Sequence, residues 1–546
     1  MVNSLFNPAE TDEPAVPWWK HGVRWLFSSE FGASNRLLVR WIFLRTLALI
    51  YLSAFYSLLR QVKGLIGTEG ILPAHDYLQM VARSTDGISR FWYAPSLYWI
   101  SSSNPAIVAI CWIGLIASVL LLFNLWPRGT LLICFLCFLA FVSAAGDFSS
   151  YQSDGMLLEA GFISLFFAPP GFWPGLGRSH PPSRASLFLL QWEWLRIYFE
   201  SGIVKLASGD PQWRNFTAMD EYYQNGPLPT WIGWYLQHLP HRFHAFTVAA
   251  TLVMELGLIW MILLPRRWRI LLFFLVTGWQ FVVISTANYA FLNYLVLFLG
   301  ILLLDDRFLA GIWNRLRRRS AEIDKRADVQ PPADSRMFPR HFRAFKFAVS
   351  AVVLTWIFYN TSAQLVHLLF RSAPLPALPI VALEPFRISN QYGLFAVMTR
   401  GRYEIEFQGS NDGATWTPYP FRYKSLALNQ PPGIYAPYQP RFDWNLWFAS
   451  LDTWRNNAFV PNTEILLLSN NKDVLNLFAG NPFPSAPPRQ VRAMLWQYWF
   501  TSMDEKRQTG NWWRRELLGQ YAPTLELRAN GTVHMVELPD LESPQR

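Results

Sequence analysis

The sequence predicts a polytopic α-helical membrane bundle of about nine spans, followed by an extracytoplasmic domain of α+β or β-sandwich-like character. Three observations lead there. Of 546 residues, 52% are hydrophobic and only 15% are charged, against about 25% charged in soluble domains. Apolar runs near the roughly 20 residues that a bilayer requires recur along the first two thirds of the chain. Beyond residue 373 they give way to short alternating segments and turn dipeptides.

The remaining composition narrows the class. The 27 Trp among 16% aromatic residues suit long membrane–water boundaries. A net charge of +10 would suggest nucleic acid in a soluble protein. Here the Lys and Arg sit in short loops between apolar runs, where the positive-inside rule accounts for them, so no nucleic-acid partner is expected. The three cysteines, Cys111, Cys134 and Cys137, all lie in apolar runs, which leaves the C-terminal third without a disulfide framework. CFLC (134–137) has CxxC spacing, but apolar burial makes a thiol inert.

Residues 1–36 read as a cytoplasmic lead-in without the apolar core of a cleavable signal peptide. Within it, PWWKHGVRWLF (17–27) has the pattern of an interfacial amphipathic helix. The membrane region is expected over 37–372, with spans at 38–62, 105–126, 129–146, 155–171, 184–205, 245–264, 269–286, 288–304 and 344–370. A polar loop follows the first span. With the N-terminus inside, the basic connections PRG (127–129), Arg178 to Arg184, PRRWR (265–269) and 305–343 all face inward, including Arg317, Arg318 and Arg319. An odd number of spans then puts residues 373–546 outside. Residues 320–340, within the 305–343 connection, are charged and Pro-containing, as in a flexible cytoplasmic linker.

In the domain over 373–546, RYEIEFQ (402–408) alternates with period two and NDG (411–413) signals a hairpin. TLELRANGTVHMVEL (524–538) forms a second hairpin pattern around Asn530-Gly531. DWNLWFASLDTW (443–454) and RQVRAMLWQYWFTS (489–502) have helix-like apolar spacing.

The stretch that stands out chemically is QWEWLRIYFESGIVKLASGDPQWRN (191–215). Glu193, Arg196 and Glu200 are spaced i, i+3, i+7 on one helical face of an apolar run. Each such charge costs at least about 2.5–3.5 kcal/mol at mid-bilayer, so the face is either an ionic network between helices or a polar cavity for a headgroup, quinone or substrate. Lys205 lies off that face, near the outer end of its span. Desolvated, it would act as a base; at the interface it would simply snorkel. Asp154 and Glu159, at similar depth, are candidates to neutralise it, and Glu255 is mid-span, the costliest depth. HLPHRFH (238–244) places His238, His241 and His244 at spacings that drift around a helix, as interfacial histidines do, so no metal is expected. No phosphate-cradling Gly loop or nucleophile elbow occurs, and no cofactor is expected.

Several long, aromatic-rich motifs carry a family resemblance. RYEIEFQGSNDGATWTPYPFRYK, APYQPRFDWNLWFASL (436–451), NLFAGNPFP (476–484) and TGNWWRRELLGQYAP (509–523) resemble the C-terminal domain of lipase maturation factors. SDGMLLEAGF (153–162) and SGIVKLASGDPQWRN (201–215) resemble the membrane region of the same family. The resemblance implies a multi-span protein of the endoplasmic reticulum that assists folding of exported clients such as lipases, a non-covalent task that needs no catalytic constellation. Compact linkers would also suit a bacterial inner-membrane relative. The alternatives are an integral membrane enzyme using Lys205 as base or a lipid- or partner-binding membrane scaffold. YFESGIVKLASGDPQW (198–213) is also similar to the segment of vitamin K-dependent carboxylases that carries their proposed base lysine, which falls on Lys205. It departs from them in having SGDPQ where they have a shorter acidic gap. Membrane lipids and lipase-like clients are the partners implied. Arg441, Asp443, Trp444 and Trp447, with Trp512, Trp513, Arg514 and Arg515, are either a client-binding surface or a packed core with an Arg–Asp pair.

Overall fold

The computed structural model describes residues 18–316, 340–528 and 530–539. Helices stand at each of the apolar runs: α1 Leu37–Ile66, α2 Asn104–Leu122, α3 Pro127–Val142, α4 Gln152–Phe167, α5 Arg184–Ala207, α6 His241–Leu252, α7 Arg266–Thr286, α8 Leu292–Gly300 and α9 Arg340–Leu369. Among the described residues, five helical segments are long and apolar enough to cross a membrane: Ser34–Ile66, Asn104–Leu122, His241–Leu263, Arg266–Thr286 and Ala344–Leu369. α3 and α8 are apolar but shorter, and α4 and α5 carry the buried charges described below.

Apolar packing around α1 organises the bundle. Tyr51, Phe55 and Leu58 of α1 are fully buried, with Phe138 of α3 edge-on to both rings. A Cβ on Gly161 would lie 2.0 Å from the Tyr51 hydroxyl, so the absent side chain is what lets α4 close on α1. α6 does not continue as a regular helix. Its last turn widens into a π-helical segment at Val253–Gly257, which contains Glu255, and then tightens over Leu258–Leu263.

The connections are more ordered than a sequence of loops. The lead-in forms a helix at Trp18–Phe27 whose side chains are not buried in the bundle. The polar loop after α1 holds an amphipathic helix, Ala74–Ser84, that buries Leu78 and Val81. The expected linker begins as a helix at Asp306–Leu316 and ends where α9 starts at Arg340. Residues 1–17 of the lead-in, Arg317, Arg318, Arg319 and the rest of 317–339 lie outside the described residues.

The C-terminal region is built on one antiparallel sheet of order β2-β1-β3-β4-β5 among the described residues. Its strands are β1 Arg402–Ser410, β2 Thr417–Pro418, β3 Gln490–Phe500, β4 Trp513–Leu527 and β5 Val533–Glu537. Both expected hairpins form, with Gly413 and Gly531 at positive φ (73° and 79°) in their turns. The expectation of a helix at 489–502 is corrected: this segment is the central strand β3. With strands on both sides, β3 alternates in burial over 490–493 and 497–500, but the buried phase switches between those blocks. Apolar residues therefore fall on both faces, and the whole pattern mimics a buried helix. Helices α10 Arg441–Ala449 and α11 Phe459–Leu468 pack against the sheet, which makes the fold α+β rather than a sandwich.

Candidate functional site

The charged face of α5 does not surround an open cavity. It holds a piece of backbone. After α9 the chain turns back, and residues 390–398 run along α5 from Arg196 to Trp213. Arg196 Nη1 donates to the carbonyl of Asn390 (2.6 Å). The amide of Tyr392 donates to Glu200 Oε2 (2.6 Å) and that of Leu394 to Ser201 Oγ (3.2 Å). Beyond the end of α5, Trp213 Nε1 donates to the Phe395 carbonyl (3.0 Å), and the Met398 amide donates to Asp210 Oδ2 (2.7 Å). α4 supplies the opposite wall. Glu159 Oε2 accepts from the Asn390 amide (2.8 Å) and the Tyr392 hydroxyl (2.9 Å), and its other oxygen pairs with Arg196 Nη2. Buried backbone without a ladder partner would cost the desolvation of each N–H and C=O, about 1–3 kcal/mol apiece, and these side chains offset it. Gly155 makes room: a Cβ there would sit 2.9 Å from Asn390 Oδ1.

Glu193 is buried on the same face, and both its carboxyl oxygens lack a hydrogen-bond partner. Three carboxyl groups, Glu159, Glu193 and Glu200, thus gather near the guanidinium of Arg196, itself wholly buried. The ionic face is therefore a network that ties α4, α5 and the 390–398 segment together.

Lys205 sits on a different side of α5 and has a different partner. The expectation that Asp154 or Glu159 neutralises it is corrected, because its ammonium donates to both oxygens of Glu255 (2.9 and 2.8 Å). It also donates to the Leu394 carbonyl (3.1 Å) and lies over the Trp213 ring at 5.2 Å. Gly202 permits this approach, since a Cβ there would meet Leu256 Cδ2 at 2.8 Å and Glu255 Cβ at 3.0 Å. The adjoining cavity is only about 70 Å³; it reaches Lys205, Ser201 and Glu255 but neither Glu159 nor Glu200. The Lys205 amine is thus held between a carboxylate and a backbone carbonyl, the arrangement of a structural ion pair.

Asp154 belongs to a second joint. Arg441 at the start of α10 grips it bidentately, Nη1 to Oδ2 at 2.7 Å and Nη2 to Oδ1 at 2.8 Å, with a further bond to the Phe148 carbonyl (2.7 Å). The guanidinium stacks on Phe141 (4.8 Å), and the Arg441 amide donates to Gln61 Oε1 of α1 (2.8 Å). Asn288, in the turn between α7 and α8, makes a third joint by donating to the Gly433 carbonyl (2.9 Å) and accepting from the Tyr435 amide (2.7 Å).

These contacts change the picture of the C-terminal motifs. Arg441, Asp443, Trp444 and Trp447 are buried, so they form no exposed client strip, and the Arg–Asp pair of Arg441 is with Asp154 and not with Asp443. Burial pushes the Asp443 carboxyl up to about 7, against the pull of Lys424. Trp513 is buried beneath Arg402 (5.2 Å), and Trp512 stands edge-on to Trp234 (5.2 Å). Arg515 pairs with Glu406 (2.9 Å), while Arg514 is exposed over the Trp499 ring. Next to the sheet Glu464 is wholly buried, and burial drives its carboxyl well above the usual range. His238 bonds the Trp234 and Thr501 carbonyls and His241 pairs with Asp220, so these histidines do not converge. Among the described residues no group of three His, Cys, Asp or Glu side chains is placed to hold a metal.

Asn390, Tyr392, Gln61 and Asp210 went unremarked in the sequence. Their only signal was indirect: charges inside spans need partners that their own spans do not supply.

Two family models match the chain, one on each part. The transmembrane-domain model of the lipase maturation factor family matches residues 38–311, and its C-terminal-domain model matches residues 388–523. Lipase maturation factor 1 of Bos taurus is 30% identical over 89% of this chain and 89% of its own length. The corresponding figures are 30%, 90% and 87% for Lipase maturation factor 1 of Mus musculus. For Lipase maturation factor 2 of Xenopus tropicalis they are 29%, 90% and 82%. No solved structure matches the chain. With its membrane region and its sheet domain both matched, this membrane protein belongs to the lipase maturation factor family.

Proposed function

We propose that the chain is a membrane-anchored folding factor for exported proteins, with lipases as the clients its relatives' names suggest. Its C-terminal domain lies on the extracytoplasmic side above a bundle of nine spans. The observation that carries this reading is the use made of the intramembrane charges. Arg196, Glu159, Glu200, Lys205, Glu255 and Asp154 are engaged in fixing the C-terminal domain or neighbouring helices to the bundle. The bundle then serves as a rigid pedestal, and what remains free to meet a client is the surface of the sheet. Arg514, Leu517, Met535 and Val536 are exposed there, and exposed apolar side chains grouped on one surface mark interaction sites. The inward bias of the basic loops supports the orientation, in the bacterial inner membrane or the endoplasmic reticulum.

The test is photo-crosslinking in intact membranes from probes at Leu517 and Val536, paired with a probe at exposed Phe274 of α7 as control. Recovery of newly exported lipase from the sheet probes alone supports the reading. Crosslinks to cytoplasmic proteins, or no exported protein at all, would overturn it.

A further inference from the structure

A cavity of roughly 340 Å³ lies where the bundle, the 390–398 segment and α10 meet, at the small end of the range for ligand sites. Its walls include Tyr222, Tyr289 and Leu292 from the bundle, Phe395 from the docked segment, and Trp447 and Phe448 from α10. Phe448 and Val397 on its lining are exposed, so the cavity has a mouth. No acidic, basic or histidine side chain lines it, which disfavours an ionic ligand.

Two further lining residues are out of balance. Ser153, 1% exposed, and Trp444, 6% exposed, line the cavity from opposite sides of the joint. The Ser153 hydroxyl and the Trp444 indole Nε1 are both buried without a hydrogen-bond partner. Most buried polar groups in native folds are satisfied, and each orphan costs about 1–3 kcal/mol. By contrast, Trp447 beside them is satisfied by the Asn225 carbonyl at 2.9 Å. An indole N–H only donates and a hydroxyl can donate, so the two groups present donors that no neighbouring side chain or carbonyl takes up.

We propose that this cavity binds a neutral single-chain lipid through its ester carbonyl, a monoacylglycerol in class. Ser153 and Trp444 would donate to the carbonyl, and the aromatic walls would enclose the acyl tail. The chemistry selects this over a peptide. A peptide segment would carry backbone N–H groups inward at every residue, where they would go unanswered. A monoacylglycerol carries only its ester acceptors inward and can leave its two glycerol hydroxyls in water at the exposed mouth beside Val397 and Phe448. The absence of lining cations selects it over anionic phospholipids. Aromatic residues with one apolar and one polar end are suited to such amphiphiles. This site is separate from the client surface, and its test involves no client.

The experiment uses the full chain in an ester-free detergent with a monoacylglycerol that carries a diazirine in its tail. Labelling is expected on peptides containing Phe395 or Phe448, with competition by unlabelled monoacylglycerol and not by an anionic lysophospholipid. Ser153→Ala and Trp444→Phe should each weaken binding about two- to tenfold, the span of one hydrogen bond. Ala396→Trp, which fills the cavity, should abolish labelling, and thermal unfolding of each variant reports whether the fold persists. Three results would overturn the proposal. They are labelling confined to lipid-facing helix surfaces, labelling undiminished in Ala396→Trp, and displacement by an extended apolar peptide but not by the ester.

Discussion

Arg441 and Asp154, 287 positions apart, form a buried bidentate ion pair that fastens the C-terminal domain to the bundle. Both ends are desolvated, so each has a large cost if left alone. Asp154→Asn and Arg441→Met should each destabilise the folded protein by about 3–5 kcal/mol. The double variant Asp154→Asn/Arg441→Met should be destabilised less than the sum of the two. Thermal unfolding of detergent-purified protein in a double-mutant cycle measures the coupling, and additive effects would refute it.

Lys205 and Glu255 form a comparable pair inside the bundle. Lys205→Met strands Glu255, so the yield of folded protein should fall, and adding Glu255→Gln should restore much of it. Client maturation per folded molecule should stay constant in both variants. A loss of specific activity in folded Lys205→Met would instead reinstate the lysine as a base.

Asp443 gives the C-terminal domain a pH dependence whose sign follows from its burial. In the unfolded chain its carboxyl titrates near 3.9, but in the fold burial holds it at about 7. Between those values the unfolded state has lost a proton that the folded state keeps, so stability falls as pH rises. Asp443 therefore contributes its full share below about pH 4 and none above pH 7. Glu464 acts in the same direction from its own buried position. Asp443→Asn should flatten the slope of the unfolding midpoint between pH 4 and 7, and Asp443→Asn/Glu464→Gln should flatten it further.

Asn288 bridges the α7–α8 turn to residues 433–436 with both ends of its amide. Asn288→Ala leaves two half-buried amides and at least one carbonyl without this partner, at up to about 1–3 kcal/mol each. Proteolysis within 428–440 should speed up in the variant, with the bundle remaining folded at moderate temperature. Unchanged cleavage there would show that the turn is not a joint.

The parts of the fold that were legible in the sequence are those encoded locally. Apolar runs became helices and Asn-Gly or Asp-Gly turns became hairpins, because period and turn chemistry lie within a few neighbouring residues. β3 was misread because its alternation changes phase midway, which puts apolar residues on both faces. The candidate site was half legible. The cost of Glu193, Arg196, Glu200 and Glu255 in an apolar setting marked them as requiring partners, but partner identity is set by tertiary folding. Asn390, Tyr392 and Arg441 sit about 190 to 290 positions from the groups they satisfy, and no local pattern announces them. The same distance explains why the buried tryptophans of α10 resembled a surface motif. Aromatic and Arg side chains dominate both binding patches and tight joints.

The seam along α5 also has a consequence for synthesis. The ribosome completes α4 and α5 long before residues 390–398 and 441 exist. Until then Glu159, Arg196, Glu200 and Asp154 lack partners they have in the finished protein. The early bundle must keep those groups hydrated or loosely assembled, and it closes only when the last third of the chain arrives. The bundle is thus a late finisher, and a nascent chain halted near residue 372 should be recognised by membrane quality control as incomplete.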